Sequence, residues 1–185
     1  TDQIRALEVL GPVIVQYFGL GEVTGNITVL PAAEHGAEGF RTGTCGYART
    51  GMQVETQNDD GTPCAPGETG EICVTGPAVF AGYWQNPEAN AKSFRNGFFR
   101  TGDLGHMDAE GFVYITGRAS DMYISGGSNI YPREIEEKIL QHPAVSEVAV
   151  FGMPDPTWGE VGVAVASLKD GAQMDPAELG AFLQG

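Results

Sequence analysis

Residues 117–137 read GRASDMYISGGSNIYPREIEE, and this stretch separates two parts of the chain that differ in their pattern of apolar residues and turn signals. A Gly-Gly pair inside it divides two short apolar segments, a pattern typical of a β-hairpin with a two-residue turn. Pro132 then stands at the first position of a helix, and Ile135 and Ile139 recur at the spacing of one helical face. The stretch therefore predicts a hairpin followed by a helix to about residue 141.

Downstream of this stretch, the pattern is that of alternating strands and helices. Residues 145–151 (VSEVAVF) and 161–168 are apolar and β-branched, which favours strands, and Asp175-Pro176 is a helix start. A helix, two strands and a second helix form an α+β unit. We expect a small domain over residues 118–185, whose last helix is cut by the end of the chain.

Upstream, residues 24–117 consist of short apolar stretches interrupted by Gly, Pro, Asn and Asp turn signals. Residues 71–75 (EICVT) and 112–116 (FVYIT) are the clearest strands, and 86–94 begin with a cap residue and predict a short helix. This spacing predicts a small, largely antiparallel sheet or barrel.

The first residues predict a helix and then a strand. Residues 2–10 are amphipathic and are followed by Gly11-Pro12, which ends a helix. Residues 13–17 form a short apolar run between glycines, which predicts a buried strand with a loop at its carboxyl end. The predicted fold class is α+β with two domains, 1–117 and 118–185.

Composition excludes several classes of protein. The 185 residues carry 10 basic and 24 acidic side chains, a net charge of −14, which opposes non-specific binding to nucleic acid or anionic lipid. No apolar run approaches the ~20 residues of a membrane span. The three cysteines show neither a zinc spacing nor a disulfide framework, so we expect a cytoplasmic protein.

Four motifs occur in a fixed order: QYFGLGE at 16–22, GETGEI at 67–72, FFRTGDLG at 98–105 and the stretch from residue 117. Together they resemble the adenylate-forming (AMP-binding) enzymes, which include acyl-coenzyme A synthetases, luciferases and peptide-synthetase adenylation domains. HPAVSEVAVFGMPDPTWGE at 142–160 resembles the acyl-coenzyme A synthetase branch in particular. The resemblance covers nearly the whole chain, which we interpret as a fragment comprising the end of the large domain and part of a small mobile domain.

The resemblance assigns roles to the first motif. Phe18 takes the place of the aromatic residue that lies against adenine, and Gly19, Leu20 and Gly21 belong to the ATP and AMP site. Glu22 takes the place of the magnesium ligand. The family usually has threonine where this chain has Gly21, so a hydroxyl contact to the α-phosphate is missing here or replaced.

By the same resemblance, the later motifs correspond to the family's ribose-binding site, its hinge and its coenzyme A channel. Asp103 matches the ribose-binding aspartate, and Arg118 matches an arginine that reaches the same region. Ser120 stands at the hinge, where the family has lysine or aspartate. Gly126, Gly127 and Ser128 would line the coenzyme A channel after the small domain rotates between the two half-reactions.

The resemblance implies a carboxylic acid to coenzyme A ligase that uses ATP and Mg²⁺ and forms an acyl-adenylate, with a fatty acid as the first expectation for the acid. The family's phosphate loop and adenylation lysine lie outside these residues, so the fragment itself is expected to contain no catalytic residue and to be inactive. Apolar surface left uncovered on the large-domain part offers a route to a homodimer. GETGEI is expected to be structural, and the residues expected to serve packing are Trp84, Trp158, Tyr83 and Tyr123.

Two alternatives stay open. One is an adenylation domain that loads a carrier-protein thiol, and the absence of a carrier domain disfavours it only modestly. The other is a nucleotide-binding or interaction module that does not catalyse.

Overall fold

The computed structural model describes residues 2–35, 41 and 43–183, except for the side chains of the first two. These residues form two compact units, 1–115 and 116–185. The division falls two residues before the predicted domain boundary at 117/118. Each unit has its own sheet and its own apolar core.

The first unit contains a helix, α1 (Asp2–Leu10), a second helix, α2 (Pro87–Ser93), and most of the strands. Its sheet has eight strands in the order β1-β2-β3-β8-β7-β5-β4, with β6 paired to β7. The strands are β1 (Gln16–Leu20), β2 (Gly25–Leu30), β3 (Thr44–Ala48), β4 (Gln53–Gln57), β5 (Gly70–Thr75), β6 (Phe94–Arg95), β7 (Phe98–Met107) and β8 (Phe112–Arg118).

Antiparallel pairing joins β1 to β2, β2 to β3, β3 to β8, β4 to β5, and both β5 and β6 to β7. The core beneath these strands is built from side chains of several of them, including Ile27, Ile72, Val74 and Val113, each fully buried. Phe80, Phe94 and Phe99 form an aromatic group at its edge, with ring centroids 5.3–5.7 Å apart. The prediction of a largely antiparallel sheet is thus confirmed.

The second unit begins with the predicted hairpin. Strands β9 (Tyr123–Ser125) and β10 (Ser128–Ile130) pair with their ends in register around the Gly-Gly turn, and α3 (Pro132–Ile139) follows. Strands β11 (Val145–Asp155) and β12 (Gly159–Leu168) complete a four-stranded sheet in the order β10-β9-β12-β11, and α4 (Pro176–Leu183) closes the described chain.

Four buried side chains from β9, α3 and β11 hold this second unit together. Tyr123, Ile139, Val145 and Val150 form its core, with exposed fractions of 7% or less. The Glu136 carboxylate accepts a hydrogen bond from the Val150 backbone N–H at 2.8 Å, which ties α3 to β11. The helix–strand–strand–helix order matches the sequence prediction, although β11 extends four residues past the predicted end at 151.

The predicted buried strand at residues 13–17 is wrong in position and in environment. The strand is β1 (Gln16–Leu20), so the segment predicted to be the loop is itself paired with β2. Val13 and Val15 precede β1 and are 65% and 42% exposed, and Tyr17 is 56% exposed on β1, which lies at one end of the sheet and has a neighbour on one side only. Apolar runs do not reveal whether a neighbouring strand is present.

Candidate functional site

The first motif forms the end of β1 and the turn after it. Phe18 and Leu20 are half-buried and pack against the core, while Gly19 and Gly21 lie between and beyond them. The pairing with β2 shifts register between Phe18 and Gly19, so a bulge marks this point. The chain then turns through a 3-10 helix, Gly21–Val23, and into β2.

The two glycines of this motif have different physical roles. A Cβ on Gly19 would overlap the carbonyl group of Gly25, so only glycine permits the approach of the two strands here. A Cβ on Gly21 would meet no heavy atom within 4 Å. Gly21 is therefore not required by packing, and the space beside it is open.

A groove of about 330 Å³ opens on this turn. Its lining is largely backbone because three of the five residues are glycines: Gly19, Leu20, Gly21, Gly25 and Asn26. Small residues let a ligand approach backbone groups closely, as phosphate-binding turns require. Three of the residues assigned to the nucleotide site, Gly19, Leu20 and Gly21, thus line the groove.

Glu22 is held by a residue that sequence reasoning placed among the packing residues. The Tyr83 hydroxyl donates a hydrogen bond to Glu22 Oε1 at 3.0 Å, and the Phe80 N–H donates to the Glu22 carbonyl oxygen at 2.8 Å. Burial raises the pKa of Tyr83, and the adjacent Glu22 carboxylate raises it further. The phenol is therefore a stable donor that orients the carboxylate.

Asp103 lies in β7, with three strands between it and β1 in the sheet order. Its side chain is 5% exposed. Burial raises the pKa of the Cys45 thiol in β3, and the negative charge of Asp103 adds to this effect. The first motif and Asp103 thus belong to one sheet but lie on different strands.

Arg118, Ser120 and the Gly-Gly turn belong to the second unit. Arg118 is the last residue of β8, and its carbonyl accepts hydrogen bonds from the N–H groups of Asp121 and Met122 at 3.1 and 3.2 Å. Ser120 lies in the turn so formed and donates to Asp121 Oδ1 at 2.8 Å. This turn joins β8 to the hairpin of β9 and β10.

The hairpin turn is open on one side and covered on the other. Gly126 and Gly127 have φ angles of 58° and 85°, in the left-handed region that favours glycine. A Cβ on Gly126 would lie 2.7 Å from the indole of Trp158, whereas one on Gly127 would meet nothing within 4 Å. Ser128 begins β10 and is exposed.

The four aromatic residues predicted to be packing residues behave differently from one another. Tyr123 is 5% exposed and belongs to the second core, as predicted. Trp84 is 87% exposed, so the prediction is wrong for that residue. Trp158 is 58% exposed and covers Gly126, and Tyr83 contacts Glu22.

No sequence signal identifies the contact between Tyr83 and Glu22, because 61 positions separate the two residues. The same holds for Glu71 in GETGEI, whose carboxylate accepts a hydrogen bond from the N–H of Gly102, next to Asp103 and 31 positions away. The first contact joins the turn after β1 to the segment before α2, and the second follows from the pairing of β5 with β7, so spacing along the chain determines neither.

No set of three or more His, Cys, Asp or Glu side chains within the described residues is placed to hold a metal ion without help from a ligand. Mg²⁺ is commonly held by one or two carboxylates together with substrate phosphates and water. A single carboxylate, that of Glu22, which follows the groove-lining Gly21 in sequence, fits that mode of binding. None of the described helices is long and apolar enough to span a membrane.

Comparison with known proteins gives two family matches. Residues 2–84 match the AMP-binding enzyme model, and residues 134–185 match the model of the AMP-binding enzyme C-terminal domain. A medium/long-chain-fatty-acid–CoA ligase of Mycobacterium tuberculosis is 40% identical over 171 residues, which are 92% of this chain and 30% of that protein.

Two solved structures of the o-succinylbenzoate coenzyme A synthetase of Bacillus subtilis are also similar. One is in complex with an acyl-adenylate intermediate and matches with a TM-score of 0.88 and 37% identity, covering 98% of this chain and 36% of that one. The other, in complex with ATP and magnesium, matches with a TM-score of 0.80 and 39% identity over 91% and 34% of the two chains. The chain spans about a third of the length of these relatives. It belongs to the adenylate-forming family of AMP-binding enzymes.

Proposed function

We propose that the chain is part of an ATP-dependent ligase that joins a carboxylic acid to coenzyme A through an acyl-adenylate. The observation that carries the proposal is the similarity, over 98% of the chain, to a coenzyme A synthetase solved with its acyl-adenylate. In the first half-reaction the carboxylate attacks the α-phosphorus of ATP and pyrophosphate leaves. In the second, the coenzyme A thiol attacks the acyl carbon and AMP leaves.

In this proposal, the end of β1 binds the nucleotide. Phe18 lies against adenine, and Gly19, Leu20 and Gly21 place backbone groups along the phosphates. The groove beside Gly21 and the steric requirement for glycine at position 19 support this assignment. Since Gly21 has no hydroxyl, the contact that a threonine would make to the α-phosphate is left to water or to backbone N–H groups.

Glu22 is the residue that would hold Mg²⁺, with the hydroxyl of Tyr83 fixing one of its carboxylate oxygens. Bound Mg²⁺ would neutralise phosphate charge during the displacement. The part played by the chain itself is to orient a single carboxylate toward the groove. A carboxylate that is already hydrogen-bonded loses less conformational freedom when it binds.

Asp103 would accept hydrogen bonds from the ribose hydroxyl groups, for which an ionised carboxylate is suited. Arg118 would reach the same region. The turn that contains Ser120 is proposed as the hinge, and it follows β8 directly. Once the second unit has turned, Gly126, Gly127 and Ser128 would line the coenzyme A channel, where the open space beside Gly127 would admit a narrow pantetheine chain.

The substrate is proposed to be a fatty acid, as in the name of the M. tuberculosis relative. The B. subtilis relative takes its name from an aromatic acid, so aromatic acids form the second class to be tested. We also propose a cytoplasmic location, which the three free thiols of Cys45, Cys64 and Cys73 support. The 185-residue chain by itself is proposed to be inactive, since the family's phosphate loop and adenylation lysine have no counterpart in it.

Product analysis on the full-length protein tests the proposal. Purified protein is incubated with ATP, Mg²⁺, coenzyme A and a panel of fatty and aromatic acids, and nucleotides and thioesters are separated by chromatography. The expected products are AMP, pyrophosphate and one acyl-coenzyme A. Transfer of the acyl group to a pantetheinylated carrier protein, with coenzyme A unreactive, would instead establish the carrier-loading alternative.

A further inference from the structure

A bulge in β7 that includes Asp103 interrupts the regular pairing of β7 with β5. Glu71 lies opposite Leu104, and Cys73 lies opposite Arg100. Three residues of β7, 101–103, therefore oppose the single residue Ile72 of β5. Such a bulge re-aims side chains and leaves backbone groups without their usual ladder partners.

The bulge is held by a specific set of hydrogen bonds. Thr101 Oγ1 donates to the Ile72 carbonyl oxygen at 2.7 Å and accepts from the Asp103 N–H at 3.1 Å. The Gly102 N–H donates to Glu71 Oε1 at 3.2 Å. Gly102, just before Asp103, has a φ of 76°, in the left-handed region that favours glycine.

The carboxylate of Glu71 is engaged on both oxygens. Besides the bond from Gly102, its Oε2 accepts from Nε and Nη2 of Arg100, each at 2.7 Å. The Glu71 side chain is only 12% exposed, and Arg100 is itself anchored by a bond to the Lys92 carbonyl oxygen at 3.1 Å. Two charge-assisted hydrogen bonds to a carboxylate that is itself largely buried fix its geometry more strongly than a single exposed contact.

We propose that Glu71 is a positioning residue: its carboxylate holds residues 101–103 in the bulge that presents Asp103 to the ribose of the nucleotide. The inference rests on the proposed function, in which Asp103 binds the ribose. It assigns a role in nucleotide recognition to the GETGEI motif, which the sequence indicated to be structural only. Glu71 does not itself touch the nucleotide.

The test compares ATP with 3′-deoxy-ATP in pyrophosphate exchange by the full-length protein. The variants are Glu71→Ala and Glu71→Gln, which keeps an acceptor for Gly102 but places an amide donor against Arg100. If Glu71 positions Asp103, wild type prefers ATP and this preference falls about tenfold in Glu71→Ala, the size of one charge-assisted hydrogen bond. Glu71→Gln is expected to lie between the two, and kcat is expected to change less than KM.

Glu68→Gln is the matched control, because Glu68 lies in the same motif but is exposed and bonds only the nearby Ala65 N–H. It is expected to keep the wild-type preference. An equal loss for both nucleotides in Glu71→Ala and Glu71→Gln would reduce Glu71 to a structural residue and overturn the inference. If Glu71→Ala does not fold, by far-ultraviolet circular dichroism, Glu71→Gln alone decides the question.

Two further outcomes separate this inference from the proposed function. A wild-type protein without pyrophosphate exchange refutes the function, and the inference with it. A wild-type protein that exchanges but does not distinguish the two nucleotides leaves the ligase reaction intact and refutes the role of Glu71. Binding of AMP measured by calorimetry gives a readout that does not depend on turnover. Glu71→Ala is expected to weaken AMP binding by the same factor by which it raises KM for ATP.

Discussion

At the scale of single residues, packing requires glycine at one of the two positions at the end of β1 and not at the other. Glycine at position 19 is required because the carbonyl group of Gly25 occupies the Cβ position. At Gly21 nothing within 4 Å opposes a side chain. The missing hydroxyl is therefore not explained by packing.

We predict that Gly21→Thr strengthens ATP binding. The added hydroxyl can reach the α-phosphate, and one hydrogen bond of about 1 kcal/mol lowers KM for ATP about fivefold. Gly21→Ala is the control, since it adds a Cβ but no hydroxyl, and it should leave KM near the wild-type value. Steady-state exchange kinetics at saturating acid measure both. Equal effects of threonine and alanine would contradict a hydroxyl contact.

Tyr83 gives the second prediction at this scale. Tyr83→Phe removes the donor to Glu22 Oε1 while keeping the ring, so the Mg²⁺ concentration needed for half-maximal exchange should rise several-fold with little change in stability. Because burial and Glu22 raise the pKa of Tyr83 above its ordinary value of 10.0, the contact is present at neutral pH and is lost only as pH rises through that raised pKa. Wild type should thus show a constant Mg²⁺ requirement between pH 7 and pH 9. An unchanged requirement in Tyr83→Phe would remove Tyr83 from the metal site.

At the scale of helices and strands, the sequence predicts most elements where turn chemistry is local. The Gly-Gly hairpin and the helix that begins at Pro132 are both present. The cap of α2 is present as well: the Asn86 side chain accepts a hydrogen bond from the Ala89 N–H at 3.1 Å. The strand at residues 13–17 is misplaced because its apolar run continues into residues that pair with β2. The bulge at 101–103 is not predictable from sequence, because it depends on the register between β5 and β7.

The hairpin of β9 and β10 carries the prediction for the thiol channel. Gly127→Ala should slow formation of acyl-coenzyme A by about tenfold or more while leaving pyrophosphate exchange nearly unchanged, because the methyl group enters space proposed for pantetheine. Gly171→Ala is the matched control: Gly171 also has a left-handed φ, 75° against 85°, and open space around it, but lies in another turn. Both changes carry the same backbone cost of about 1 kcal/mol. A slowed exchange step, or equal effects of the two variants, would contradict the channel assignment.

At the scale of the whole molecule, the first unit exposes several apolar side chains. Val9, Val13 and Tyr17 are 75%, 65% and 56% exposed on and next to the end strand of the sheet. Exposed apolar side chains beside an unpaired strand edge favour association. The sequence analysis predicted uncovered apolar surface on this part of the chain, although it predicted the strand itself to be buried.

We therefore predict that the isolated 185-residue chain forms dimers at micromolar concentration. Replacing Val13, Val15 and Tyr17 together by serine should shift the chain to a monomer, since the apolar contact area is lost while the β1–β2 register is kept. Multi-angle light scattering measures the mass of both. The control is the double variant Glu88→Gln/Lys92→Gln, which removes an exposed helical ion pair in the same unit. It should leave the dimer intact. A monomeric wild-type chain would contradict the prediction.

Exchange of labelled pyrophosphate into ATP should be measured side by side on the full-length protein and on the 185-residue chain, with Mg²⁺ and the acid panel. We predict exchange by the full-length protein with at least one acid, and none by the folded 185-residue chain, which carries the proposed ribose and magnesium residues but no counterpart of the family's adenylation lysine or phosphate loop. Absence of exchange with every acid in a folded full-length protein, or exchange by the chain alone, would contradict this prediction.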